Sequence, residues 1–312
     1  MFVLCSLICL AAMCQLASAA DRGPKLGEAQ VQRVRVGIIV TAQSGPCKGI
    51  VGTTPVPIDW PEQSVKIVDE ETSPFVKDVD YRLVAGGVKQ MLVSVPQLPP
   101  TEEAKALVTF EIKRHALLPP DDTSVYVLPN LRKLPREVRP FLGDSPYIES
   151  RHNRIKNLAK ETLADKSSAT AWEKVEALYD ITREKVKYQD MPLKGALKAL
   201  EDGTGDCEEL SSLFIALCRA SDIPARTVWV PGHCYAEFYL EDETGEGYWF
   251  PCQPAGDRAF GGIPEHRPVL QKGDNFRVPE RPRDRQRYVA EFLTGAGGQP
   301  KVQFVRENVA VN

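Results

Sequence analysis

The chain has 312 residues, with 39 Lys and Arg against 42 Asp and Glu, a formal charge of −3, and a composition 43% hydrophobic and 26% charged. That balance excludes a disordered or collagen-like chain, and it excludes a nucleic-acid binder relying on a sequence-independent basic surface. The 25 prolines and 22 glycines demand many turns and so argue against a single helical bundle, while the length suggests two domains.

Residues 1–20, MFVLCSLICLAAMCQLASAA, carry no charge and close on small residues before Asp21 and Arg22. An apolar run followed by an A-x-A-like site reads as a secretory signal peptide, which predicts a secreted or periplasmic protein. A retained N-terminal membrane anchor is the competing reading, since ~18 apolar residues can cross a bilayer. No other stretch is comparably long and apolar, so no stable membrane insertion is expected after signal cleavage. Cleavage would leave Cys47, Cys207, Cys218, Cys234 and Cys252, an odd number that keeps at least one thiol unpaired within the chain.

Residues 21–128 read as a β-rich domain. VQRVRVGIIV, VKQMLVSV, AKALVTFEI and SVYVL are short, rich in β-branched residues and partly alternating, with Pro/Gly breaks between them. An antiparallel, β-sandwich-like module is expected there, without a catalytic constellation. Residues 129–146 hold four prolines and read as a linker.

From 147 to 275 the period changes. Ile148–Ala164 and Ala169–Lys187 read as amphipathic helices, and Asp206–Ala220 as a third, entered through the glycine turn GTG. TVWV, HCYAEFYL and YWFPCQP follow as strands, which makes this part α+β with an antiparallel sheet. Residues 276–312 form a C-terminal extension with one or two further strands. Its basic run R281-P-R-D-R-Q-R287 contains Asp284 and lacks interleaved aromatics, so it reads as a solvated loop or strand edge.

Three residues converge on one chemistry. Cys207 stands where the glycine turn meets a helix start, a place where free N–H groups and the helix dipole favour a thiolate and can later hold an oxyanion. Asp206, Glu208 and Glu209 oppose that thiolate, with Asp206 placed as the N-cap. His233 opens the alternating strand HCYAEFYL. A hairpin centred near Glu243 sets His233 opposite Gln253 and Cys234 opposite Cys252. Cys234 and Cys252 are then either a disulfide or two small core residues. A zinc site from Cys207, His233, Cys234 and Cys252 is disfavoured because neighbouring strand residues point to opposite faces.

In this order the motifs resemble the transglutaminase-like superfamily of cysteine acyltransferases and proteases, with its papain-like core, over about residues 148–260. GDCEELSSLFIALCRASDIPAR resembles that family's nucleophile helix and G-I-P-x-R turn, with Ser221-Asp222 where Gly is usual. HCYAEFYL resembles its H-x-W-x-E-x-Y-L strand, with Tyr235 in the Trp place, and YWFPCQP its W-x-P-x-D-P strand. The resemblance implies Cys207 as nucleophile and His233 as general base and acid. At the third position Gln253 replaces the usual Asp. An amide oxygen can orient an imidazole but supplies no full charge, and Glu237 or Asp257 are the carboxylates that could substitute for it.

The expected protein is thus an exported, two-domain cysteine enzyme that acts on amide bonds of a protein or peptide substrate through a thioester. It is either a peptidase or amidase, or a transamidase. No metal or organic cofactor is called for, and no EF-hand or acidic loop suggests calcium. The alternative is a catalytically inactive binding or assembly protein of the cell envelope that keeps this fold.

Overall fold

The computed structural model describes residues 22–84 and 86–310; the expected signal segment lies outside them. Six strands come first: β1 (Lys25–Ala42), β2 (Cys47–Val56), β3 (Gln63–Thr72), β4 (Asp78–Val84), β5 (Val88–Leu98) and β6 (Glu103–Leu118). A short β7 (Tyr126–Val127) precedes α1 (Asn153–Leu163) and α2 (Ala171–Lys185). After these come β8 (Lys187–Tyr188), α3 (Ala196–Asp202), β9 (Thr204–Gly205) and α4 (Cys207–Ala220). A run of strands follows: β10 (Ala225–Val230), β11 (His233–Asp242), β12 (Gly247–Gln253), β13 (Ala259–Phe260) and β14 (Gln271–Lys272). The last strands are β15 (Phe292–Gly297) and β16 (Pro300–Val309).

The first and last strands build two four-stranded antiparallel sheets, ordered β16-β1-β6-β3 and β15-β2-β5-β4. Val34, Val36, Ile38 and Val40 of β1 alternate along one strand face, as period-2 burial requires. They share one core with Ile50 of β2, Met91, Val93 and Val95 of β5, and Val108, Phe110 and Ile112 of β6. The extension over 276–312 is therefore integral to these sheets: β16 pairs with β1 (Gly37↔Val305) and β15 with β2 (Phe292↔Thr53). The strand expected in SVYVL goes elsewhere, because β7 pairs with the end of β11 (Glu241↔Val127).

The second sheet system runs β13-β12-β11-β10-β14. One face carries the helices α1–α4. α4 is buried from Leu210 to Arg219, packed between the sheet and the other helices around Trp172, Tyr179, Phe214, Phe238 and Phe250. The opposite face meets the β6 end of the first sheet, where Leu117 packs with Val228, Val230 and Tyr235. Several fully buried charges lie on that side. Lys272 bridges Glu62 (2.7 Å) and Glu237 (2.6 Å), and Glu237 also binds Arg226 at 2.7 Å.

Residues 129–146 are more than a spacer. Leu134 and Val138 pack on Tyr239, and the Phe141 ring meets Trp249 edge-on at 5.5 Å. At the far end of α4, Arg219 binds Asp274 at 2.8 Å and donates to the carbonyls of Ala225 and Gly143. The place where the family resemblance expects Gly is taken by Asp222, which adopts φ 61°. Asp is among the residues that tolerate this left-handed region, so the helix-to-Ile223-Pro224 turn is kept without glycine.

Candidate active site

The turn into α4 is built by local rules. Gly203 ends α3 at φ 72°, and a Cβ on Gly205 would lie 2.4 Å from the Glu209 Cβ. Glycine at both positions therefore lets the chain reverse and run tight against the helix. β8 and β9 pair in parallel, Tyr188 with Gly205, which fixes this turn from the side. Asp206 is the N-cap: its carboxylate accepts from the Glu208 N–H at 2.7 Å, while Glu209 accepts from the Asp206 N–H at 3.2 Å. This is a reciprocal capping box, and it makes Cys207 the first helical residue.

The strand residues come to the same edge. The β11–β12 pairing sets Ala236 across from Cys252 and Glu241 across from Gly247, so the hairpin turns around position 244 and not 243. Asp242 fixes the wider turn by accepting from the N–H groups of Thr244 and Glu246 at 2.8 and 3.1 Å. The expected pairs His233/Gln253 and Cys234/Cys252 are accordingly corrected to diagonals, two residues out of register. A diagonal is still within reach of long side chains: Nε2 of His233 lies 3.1 Å from Oε1 of Gln253. Cys234 and Cys252 are both free, buried thiols.

Gln253 occupies Nε2 of the ring, which leaves Nδ1 as the nitrogen free to serve Cys207. The Cys207 thiolate is favoured first by the neighbouring Cys234 thiol, then by His233 and the Cys234 backbone N–H. Together these outweigh burial and lower its pKa to about 4. Burial alone would lower the pKa of His233. The neighbouring Cys207 with its negative charge and the bond to Gln253 prevail and raise it. Both shifts favour a thiolate beside an imidazolium.

The carboxylates expected to oppose this state are each disarmed. Glu208 is paired with Arg287. Burial raises the Asp206 pKa to about 7, and the neighbouring Glu209 carboxylate adds to this. Burial works against the charge of Glu209, but it accepts the N–H groups of Lys194 and Asp206 and stays ionised. Glu237 does not serve as the orienting carboxylate, since its oxygens are held by Arg226 and Lys272. Asp257 meets Gln253 through its backbone carbonyl, 3.5 Å from Nε2.

Cys207 and His233 open onto a cleft of about 560 Å³. One wall is the α4 entry with Trp229 and Gly232; the other comes from Val34 of β1 and Arg306–Asn308 of β16, with Arg287 and Tyr288 between them. Sequence reasoning did not find this second wall, because pairing of the two chain ends is not legible in local patterns. The solvated loop expected at 281–287 likewise supplies Arg287 to the cleft. Tyr235, in the Trp place of the family strand, uses its hydroxyl to accept from the buried Arg114 at 3.2 Å, a bond that indole could not accept. Among the described residues no group of three or more His, Cys, Asp or Glu could hold a metal ion.

Residues 156–254 match the family model of the transglutaminase-like superfamily, and this stretch, which contains all three site residues, is transglutaminase-like. No curated protein matches the chain significantly. Among solved structures the chain is similar to a putative cysteine protease from Cytophaga hutchinsonii, at 17% identity and a TM-score of 0.58, over 92% of this chain and 93% of that one. This likeness establishes a shared fold across both sheet systems. A putative protease from Parabacteroides distasonis is also similar, at 14% identity over 78% of this chain and 48% of that one. Its TM-score of 0.28 carries no argument.

Proposed function

We propose that the chain is a cysteine enzyme of transglutaminase-like type that cleaves or transfers amide acyl groups of a protein or peptide, with Cys207 as nucleophile on α4. The observation that carries this reading is the set Cys207, His233 and Gln253, of which Cys207 and His233 line an open cleft and Gln253 contacts the imidazole, with the pKa of the sulfur lowered to about 4. The thiolate adds to an amide carbonyl, and the charge developing on the oxygen lies near the Cys207 N–H at the start of α4. His233 delivers its Nδ1 proton to the departing amine and leaves a thioester on Cys207. The neutral imidazole then takes a proton from water, giving hydrolysis, or from an incoming amine, giving transamidation. Gln253 holds the ring with Nδ1 toward sulfur, as an orienting amide without charge.

The alternative is a binding or assembly protein that retains the fold without turnover, favoured by the neutral Gln253 in the carboxylate position. We place the protein outside the cytoplasm on the strength of the apolar N-terminal segment, and no described helix is long and apolar enough to cross a membrane. One experiment separates these readings. Unfolded casein is incubated with the mature chain, with and without a dansylated primary amine, beside Cys207→Ala. New peptide termini identify a peptidase, and dansyl incorporation identifies a transamidase; both must vanish in the variant. Absence of either product from the wild-type chain, with Cys207 unmodified, supports the binding protein.

A further inference from the structure

A second cavity, of about 460 Å³, lies away from Cys207 and shares no lining residue with its cleft. Its volume falls within the ~300–1,000 Å³ typical of small-molecule sites, which favour the junctions between structural units. It forms where the sheet systems meet. Trp60 comes from the turn before β3, Arg226 from β10, Trp249 from β12, and Gly273–Arg277 from the loop after β14. The proline-rich segment that reads as a linker adds Val138 and Phe141, which gives that segment a second task.

Contacts inside the protein fix these walls. The Arg226 guanidinium lies 4.0 Å over the Trp249 ring and 5.7 Å from the Phe141 ring, while Glu237 accepts from its Nε at 2.7 Å. Tyr239 packs on Trp249 with ring centroids 5.2 Å apart. Phe276 is anchored on Val84 and Val88, and a Cβ on Gly273 would stand 2.9 Å from its ring. The Lys272 ammonium lies 5.2 Å from the centre of the Trp60 ring. Rigid aromatic walls of this kind bury an apolar body at little cost in ordering.

The charges around the cavity select what that body carries. Asp274 is neutralised by Arg219, and Arg226 by Glu237. Arg277, Arg285 and Glu137 are the remaining charged residues of the lining, and all three are exposed. Among the described residues neither arginine stands in an ion pair. Arg285 donates to the Asn275 carbonyl at 3.4 Å, which keeps its guanidinium at the cavity. Two cations thus face one carboxylate, and a guanidinium fork suits a carboxylate or sulfonate. An aromatic cation would find the same walls but meet the unpaired arginines.

We infer that this cavity is a binding site for a small organic anion with an aromatic body, its rings among Trp60, Phe141 and Trp249 and its acidic group toward Arg277 and Arg285. The site is separate from the proposed acyl chemistry and holds whether or not the protein turns over a substrate.

The test titrates the mature chain with anilinonaphthalene sulfonate and, in parallel, with N-phenylnaphthylamine, the same ring system without its charge. Binding is followed by dye fluorescence and by the indole N–H resonances of the 4 tryptophans. We expect one saturable site for the sulfonate, whose occupation shifts Trp60 and Trp249 and leaves Trp172, in the core beneath the helices, in place. The double variant Arg277→Glu/Arg285→Glu, checked by its thermal transition, should bind the sulfonate about tenfold more weakly and the neutral dye within about twofold of the wild type. Three results overturn the inference: no saturable binding of the sulfonate; a shift of Trp229, which lines the Cys207 cleft, without Trp60 and Trp249; or a double variant that binds the sulfonate unchanged or loses both dyes equally.

Discussion

His233 and Glu237 stand on the same face of one strand, four residues apart, and the molecule uses them in opposite ways. Glu237 is buried between Arg226 and Lys272. Burial opposes its charge, but the two cations prevail and lower its pKa to about 2. His233 sits at the open end of β11 against a thiolate and a neutral amide. Both regions hold groups whose proton affinity is moved far from its ordinary value. In the first every charge is met by an opposite charge and closed off, and the arrangement fixes the two sheet systems against each other. In the second the sulfur faces a cleft, and the charge remains available. A strongly shifted group therefore marks a site only where it can also be reached.

The largest effect that would break this comparison is expected at Glu237. Glu237→Gln leaves Arg226 and Lys272 in a buried interface without their shared partner, an imbalance worth about 3–5 kcal/mol. Urea unfolding should show a correspondingly lower midpoint with an unchanged slope. A midpoint within experimental error of the wild type would mean that the network is solvated. Because the native pKa of Glu237 is depressed, its contribution is complete above the unfolded carboxylate value near 4.3 and lost as pH falls toward about 2. The penalty of the variant should therefore shrink progressively over that acid window.

A smaller change sharpens the other side. Gln253→Asp places a carboxylate against the Nε2–H of His233, which stabilises the imidazolium. The imidazole titration followed by NMR should move to higher pH, by about one unit or more. No shift would show that the introduced carboxylate turns away and that the 3.1 Å contact does not orient the ring. The least effect is expected from Arg287→Ala. It removes the cation beside Glu208, so an unneutralised carboxylate faces the thiolate. At this partial exposure such a pair is worth about 0.2–1 kcal/mol, and Cys207 alkylation should move to higher pH by well under one unit. A larger displacement would make Arg287 a principal support of the thiolate.

Much of the candidate site is legible in the sequence, because it depends on local rules. Glycines around position 204, an Asp N-cap and a Glu three residues later specify how the turn enters α4, and the alternation of HCYAEFYL specifies β11. The hairpin register differs from the expected one by two residues because the turn length depends on Asp242 capping Thr244 and Glu246, which alternation does not reveal. The contact survives that shift as a diagonal, since both registers keep His233 and Gln253 on one face. What stays hidden is long-range: β16 pairing with β1 and Arg287 reaching Glu208. The segment 129–146 reads as a linker from its prolines, although Leu134, Val138 and Phe141 pack firmly on the sheet.

The central claim is that Cys207 and His233 form a thiolate–imidazolium pair, and the pH dependence of iodoacetamide alkylation at Cys207 tests it most directly. In the wild-type chain, labelling quantified by peptide mass spectrometry should rise with a midpoint near 4 and be well developed at pH 6. In His233→Ala the midpoint should move up by at least one pH unit, as the thiolate loses its cation. Labelling that begins only in the ordinary thiol range near 8.5, and is indifferent to His233, would contradict the account.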